Sequence, residues 1–424
     1  MIILKNRRRF LVTVSLLIAC SILAVQPLAT IAAGFETFKL PIAEFEPGMP
    51  SLYLRGPVEP AKNVILLISD GTGINHRTLV RIASGGANSK LPSERLFEVG
   101  LANTHSLDSL VTDSAASATQ IATGNWVPNR TISVNADGEP LQTILELAKT
   151  LGKSTGIITT DRVTGATPAG FAGHVPDRDM KNEIAQIILE NDSVDVLIGG
   201  GKKNFQSPVA GKKGDRTDGR DLLEEAAERG VTICNSIYEL RADDSPRTWA
   251  LLSSGSMTAA VKRNYTLGDL TSEALRRLSQ NPEGFFLMVE GDQIDGGGHD
   301  NDIWRMALEL LDFETAVEVA TEFAENRDDT LVIVVSDHET GGLAITNGQA
   351  QSTEVEYGWI HGGHTGTPVA IYSSGPNSFL LGGHIYLADI SKIIAFGWDI
   401  YDFGPDRAVE GPGAKWLLSK QNQQ

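Results

Sequence analysis

The sequence predicts an α/β fold, a three-layer sandwich with a mainly parallel central sheet flanked by helices on both faces. Three observations predict it. Short apolar runs rich in β-branched residues alternate with longer amphipathic segments, the alternation extends over most of the chain, and several of the apolar runs end in a carboxylate. Residues 64–69, 156–159, 194–198, 285–289, 331–335 and 369–372 read as strands. Between them 141–151, 181–190, 221–229, 267–279 and 302–325 read as helices. Strands separated by helical crossovers pair in parallel, with the helices returned to the faces of the sheet. Residues 202–262 mix Lys202-Lys203, Lys212-Lys213 and Asp243-Asp244 with loop-forming residues. They are expected as an insertion or peripheral subregion of one domain covering 34–424.

The chain's first 33 residues have the order of an export signal. Lys5 to Arg9 are basic, 10–25 are apolar, and Ala29-Thr30-Ile31-Ala32-Ala33 supplies a small-residue exit. A secreted or periplasmic protein is the expectation, with no membrane attachment after cleavage; Pro27 and the alanines weigh against an uncleaved anchor, and the apolar residues after Leu17-Ile18-Ala19-Cys20 weigh against a lipid anchor there. Those residues hold four basic side chains and no acid, so removing them moves the net charge from −17 to −21. Nucleic-acid binders cluster Lys and Arg, and a surface this acidic excludes that class. With Cys20 in the signal, Cys234 stands alone, which excludes an internal disulfide and thiolate zinc.

The strand ends carry the chemistry. Asp70, Glu290 and Asp337 with His338 each follow a strand, and in open α/β sheets ligands bind in the crevice beyond the strands' carboxyl ends. Carboxylates gathered there repel one another unless protonated or bound to cations, and metal is the economical explanation. Asp295 and His299 are four apart around Gly296-Gly297-Gly298, a spacing expected to form a loop that turns both side chains toward one ion. His364 occupies another glycine-rich turn, Gly362-Gly363-His364-Thr365-Gly366. Oxygen and nitrogen donors without thiolates suit catalytic zinc. Ser114, in Val111-Thr112-Asp113-Ser114-Ala115-Ala116-Ser117-Ala118-Thr119, falls where a helix should begin. Unsatisfied backbone N–H groups and the helix dipole favour anions there, with Asp113 orienting the turn.

In these blocks the sequence resembles the alkaline phosphatase family. The matching stretches are Leu66-Leu67-Ile68-Ser69-Asp70-Gly71-Thr72-Gly73, 112–119, Gly165-Ala166-Thr167-Pro168-Ala169, 174–178, 288–299, 336–338 and Gly363-His364-Thr365-Gly366, in the family's order. The resemblance implies a zinc site of Asp295, His299 and His364, and a second of Asp70, Asp337 and His338 beside Ser114. It implies a third ion, usually magnesium, held by Asp70, Thr167 and Glu290, with cobalt an alternative in the paired sites. Ser114 would be the nucleophile and Arg178 the phosphate clamp, in a hydrolase of phosphate monoesters that passes through a phosphoserine. A phosphodiesterase or pyrophosphatase on the same scaffold, or a non-catalytic phosphate-binding protein, are the alternatives.

Two departures from the family pattern stand out. Gly165 and Gly296 replace side chains that usually support the third metal and the bound phosphate. Only 25 residues lie between His338 and His364, too few for the large insertion some relatives carry there, so a homodimer would need another surface. His76, His105, His174, His361 and His384 are read as structural, with His361 nearest the site.

Overall fold

A computed structural model describes residues 37–38, 49–208 and 214–421. The segment read as an export signal lies outside them. Ten strands form the central sheet: β1 (Asn63–Ser69), β2 (Glu98–Asn103), β3 (Ser154–Arg162), β4 (Val196–Gly200), β5 (Thr232–Cys234), β6 (Thr248–Leu251), β7 (Phe285–Gly291), β8 (Thr330–Val335), β9 (Val369–Ser374) and β10 (Gly383–Tyr386). Their order across the sheet is β10-β2-β9-β8-β1-β7-β3-β4-β6-β5. Only β9 runs against the rest, pairing antiparallel with both β2 and β8. The expected mainly parallel sheet is what forms.

Alternation along the strands explains the three layers. In β1, Val64, Leu66 and Ile68 face one core while Ile65 and Leu67 face the other. In β8, Leu331, Ile333 and Val335 join the first core and Val332 and Val334 the second. Both faces are apolar, so the central strands read as continuous hydrophobic runs, as parallel strands buried on two sides must. Helices such as Ser114–Thr123 and Ala166–Ala172 cover one face; Leu267–Leu278 and Ile303–Ala324 cover the other.

Within 202–262, β5 and β6 extend the sheet at one edge. Beyond it, β2 and β10 close the opposite edge. Among the described residues no helix is long and apolar enough to cross a membrane. Cys234 is buried, and burial pushes its thiol up to about 11, in keeping with an inert structural thiol.

Candidate metal and nucleophile site

Strand register places the carboxylates together. Ile68 of β1 pairs with Glu290 of β7 and with Val335 of β8, and Glu290 in turn pairs with Thr159 of β3. The residues just past this row, Asp70, Asp292, Asp337 and His338, therefore emerge at one end of the sheet. Ser336 locks two of these ends, its hydroxyl donating to the Ser69 carbonyl at 2.6 Å and accepting from the Thr72 N–H at 2.8 Å.

Ser114 is the first residue of the helix Ser114–Thr123, with Asp113 as its N-cap. The Asp113 carboxylate accepts from Ala116 N–H and Arg130 N–H at 3.0 Å each, and its second oxygen takes the Arg178 guanidinium at 2.9 Å. One carboxylate thus fixes both the helix start and the arginine beside it, the orienting role expected of Asp113. The Ser114 hydroxyl lies 3.1 Å from His338 Nε2.

The structure gathers every expected metal residue at this place. His338 Nε2 is 3.5 Å from Asp70 Oδ1 and 3.2 Å from Asp337 Oδ2. Asp295 sits 3.2 Å from His299 Nε2 and 3.7 Å from His364 Nε2, and the two imidazole nitrogens face each other at 3.2 Å. Thr167 donates to Asp70 across 3.4 Å, and Glu290 accepts from the Thr159 hydroxyl. Among the described residues, donor atoms close enough to share one ion fall into three groups: Asp295, His338 and His364; Asp70, Asp337 and His338; and Asp70, Glu290 and Asp292. His338 lies within reach of both histidine-bearing groups, stacked on His364 with ring centroids 3.6 Å apart.

Two contacts set the tautomers. His299 Nδ1 is 2.7 Å from the Gly362 carbonyl and His364 Nδ1 is 2.8 Å from the Thr112 carbonyl. A carbonyl only accepts, so Nδ1 carries a proton in each ring and Nε2 is the nitrogen turned to the site, the orientation metal-binding histidines adopt once Nε2 is unprotonated.

Electrostatics also favour a cation. Burial and the charges of Asp337, Asp295, Glu290 and Asp292 push Asp70 well above the ordinary carboxylate range. Burial lifts Glu290 to about 8 despite hydrogen bonds from Thr159 and Thr167, and burial together with Asp295 lifts Asp337 to about 6. Burial and the charge of His364 hold His338 well below its usual value. Asp295 goes the other way: burial opposes its ionisation, but the His299 bond and the neighbouring histidines hold it low. His299 rises to about 9 on its hydrogen bond to Asp295. Asp70 Oδ1 is buried with no hydrogen-bond partner. An unpartnered buried oxygen among raised carboxylates, with the His338 imidazole nitrogen beside it, fits divalent cations.

One expectation is corrected. Gln293–His299 is a helix, not a loop. Asp295 and His299 stand at i and i+4 on one helical face, the same convergence by another route. The three glycines are there for space: a Cβ at Gly297 would meet the Met306 backbone nitrogen at 2.5 Å, and one at Gly298 would meet Thr340 at 3.0 Å. Close packing, not freedom of φ, explains them.

Sequence reasoning missed Asp292. It follows Glu290 by two residues, so strand alternation put it on the same side, and that signal was available. Asp161 and Arg305 were also missed. With Gly165, Arg178 and Asp292 they line a cavity of about 430 Å³ beside the site. His76, His105, His174 and His384 make hydrogen bonds to nearby backbone or side-chain groups, and His361 Nδ1 accepts from Gly363 N–H at 2.8 Å.

The alkaline phosphatase family model matches residues 61–354. Alkaline phosphatase 3 of Bacillus subtilis is 31% identical over 421 aligned positions, which cover 80% of this chain and 89% of the relative. The solved alkaline phosphatase of the Antarctic bacterium TAB5 is 31% identical, with a TM-score of 0.73, and the match covers 82% of this chain and all of that one. A histidine-to-aspartate variant of the TAB5 enzyme was solved with magnesium in its M3 site. The Thermus thermophilus alkaline phosphatase, at 23% identity and a TM-score of 0.76 over 90% of this chain and all of that one, shares the fold.

Proposed function

The chain belongs to the alkaline phosphatase family, and from that premise we propose that it hydrolyses phosphate monoesters through a phosphoserine on Ser114. The observation that carries this reading is the position of the Ser114 hydroxyl. It stands at the start of a helix, 3.1 Å from His338 and beside the arginine that Asp113 holds.

The residues divide the work. Asp295, His299 and His364 would hold one zinc, Asp70, Asp337 and His338 the other, and Asp70, Thr167 and Glu290 a magnesium. Bound there, the paired ions would lower the pKa of the serine hydroxyl, neutralise charge on the departing oxygen and activate the water that completes hydrolysis. His338 would serve as a ligand and not as a base, because burial holds its ring well below the usual imidazole value and leaves it little affinity for the serine proton. Ser114 Oγ forms a bond to phosphorus while the alcohol oxygen of the ester leaves in line, and water later returns the serine. Arg178, with one nitrogen on Asp113, offers its remaining donors to two phosphate oxygens, a fork a lysine cannot reproduce. The backbone N–H groups at the head of Ser114–Thr123 add a fixed positive potential for the same anion.

The order of residues 1–33 supports export, and −17 overall charge supports a dispersed protein acting on small phosphate monoesters rather than on nucleic acid. A homodimer, if formed, would use a surface other than the short 339–363 segment. The test is hydrolysis of a chromogenic phosphate monoester against the matching diester, using stripped protein refilled with zinc and magnesium. Turnover of the monoester, with label from a radioactive substrate trapped on Ser114 by acid quench, is the expected result. Diester preference, or turnover without labelled Ser114, overturns it.

A further inference from the structure

Gly165 and Gly296 leave no gaps. A Cβ built at Gly296 would lie 2.2 Å from Arg305 Nη2, and one at Gly165 would lie 2.3 Å from Asp161 Oδ2. Side chains from other elements already occupy both volumes. Asp161 comes from the end of β3, and its Oδ1 accepts from the Ser256 hydroxyl at 2.5 Å, which leaves Oδ2 turned to Gly165. Asp292 stands directly after β7 and shares a donor group with Asp70 and Glu290, all three presenting oxygens within 4.8 Å of one another. Asp70, 3% exposed, contributes an Oδ1 with no hydrogen-bond partner.

We propose that Asp292 is a direct ligand of the third cation and Asp161 its outer carboxylate, two acids beyond the Asp70, Thr167 and Glu290 already implied, which make this site more strongly anionic and tighten its hold on magnesium over zinc. The inference rests on the phosphatase reading above and deepens it. Asp70, Glu290 and Asp292 bring three formal negative charges and Thr167 a neutral oxygen; Asp161 adds a fourth charge just outside. No imidazole or thiolate comes with them. Hard dications such as magnesium prefer such oxygen sets, whereas zinc gains from nitrogen donors, which this chain concentrates at the other two groups. Extra carboxylates also raise affinity, since charge count is a main lever on the binding of hard cations. The volume that a side chain at position 165 would fill is therefore taken by a carboxylate from four residues earlier, and glycine at 165 makes room for it.

The full chain, stripped and then equilibrated with a mixture of zinc and magnesium, should retain one magnesium and two zinc ions per chain by elemental mass spectrometry. Titration calorimetry of magnesium into the zinc-loaded protein should show Asp292→Asn weakening binding roughly 10- to 100-fold and Asp161→Asn weakening it less, both with two zinc ions retained. Asn keeps the volume and removes a buried charge; should Asp292→Asn not fold, Asp161→Asn carries the test alone. Zinc in all three sites of the unaltered protein, or an unchanged magnesium Kd in every variant that folds, overturns the proposal. Phosphoserine on Ser114 with two retained zinc ions but no magnesium would sink this inference and leave the phosphatase mechanism standing. Loss of labelled Ser114 would sink the mechanism instead.

Discussion

The imidazole half of the site and its carboxylate half are held by different means. Around Asp295, His299 and His364 the anchors are backbone carbonyls, those of Gly362 and Thr112, each gripping an Nδ1. His299 remains 41% exposed, so this half opens to solvent. Around Asp70, Glu290 and Asp292 the anchors are strand register and hydroxyls, from Thr159 and Thr167, and Asp70 and Glu290 are fully buried. The first half can shed charge by releasing protons. The second can do so only by staying protonated or binding a cation, because desolvation and mutual repulsion act together. One sheet end thus holds a half open to solvent beside a half closed off from it.

Ser114 sits between the halves, and its removal should have the largest effect. Ser114→Ala is expected to lower kcat by on the order of 10³-fold or more and abolish acid-stable labelling, since the covalent route is lost. Metal content in both halves should stay unchanged by mass spectrometry. If the variant turns over normally, the nucleophile has been misplaced; if it loses metal, the two halves are not independent of it.

Arg178→Ala comes next. Its bond to Asp113 ties it to the helix start, and a guanidinium, which offers donors and no lone pair, is no metal ligand. A charged hydrogen-bonding clamp contributes about 1.5–3 kcal/mol, so kcat/KM should fall roughly 10- to 100-fold, mostly through KM, with inorganic phosphate inhibiting less. Arg178→Lys should recover only part of this, because it lacks the fork. A loss confined to folding stability would make the arginine structural.

The helix Gln293–His299 marks where the sequence was legible and where it was not. Asp295 and His299 were visible as a pair, but three successive glycines argued for a loop, as their low helix propensity should. The missing information was tertiary. The Ile303–Ala324 helix packs so close that Met306 backbone excludes a Cβ at Gly297. The histidines and strand-end carboxylates could be read because each follows an apolar run or lies in a glycine-rich turn. Asp161 could not, since it acts on Gly165 through a fold of β3 that no spacing rule announces. The strand β2, one in from the edge between β10 and β9, escaped for a related reason: its pattern of partial burial, with Val99 exposed, lacks the continuous apolar run that exposed the central strands. A direct test compares two neighbours. Gly297→Ala should destabilise by about 1–3 kcal/mol through overpacking against fixed backbone. Gly296→Ala, which meets the guanidinium end of the long Arg305 side chain and no backbone, should cost less, the loss being Arg305's bonds to Asp300 and Gln293. Equal thermal shifts would show that helix propensity, not packing, governs both.

The smallest expected effect tests how the carboxylate half is tethered. Thr167 rides on the helix Ala166–Ala172, and His174, just beyond its end, bridges the Ser133 carbonyl and the Glu146 carboxylate at 2.8 Å each. Both acceptors need a proton from the ring, so imidazolium is the bonded form. Burial opposes the charges, but the mutual bond prevails: His174 is raised above 6.5 and Glu146 lowered below 4.5. The histidine's stabilisation is complete below pH 6.5 and fades as pH rises through its higher folded value. The glutamate's is complete above pH 4.5 and fades as pH falls through its lower one. Their joint contribution is therefore greatest between about pH 4.5 and 6.5 and absent in alkali. His174→Gln, which keeps one donor but never the charge, should be less stable than the unaltered protein by about 1 kcal/mol near pH 5.5. The gap should narrow as denaturant melts are moved to pH 9. A constant gap across that range would mean that His174 works as a neutral hydrogen-bonding ring. The anchor of Thr167 would then be as indifferent to pH as the strand register beside it.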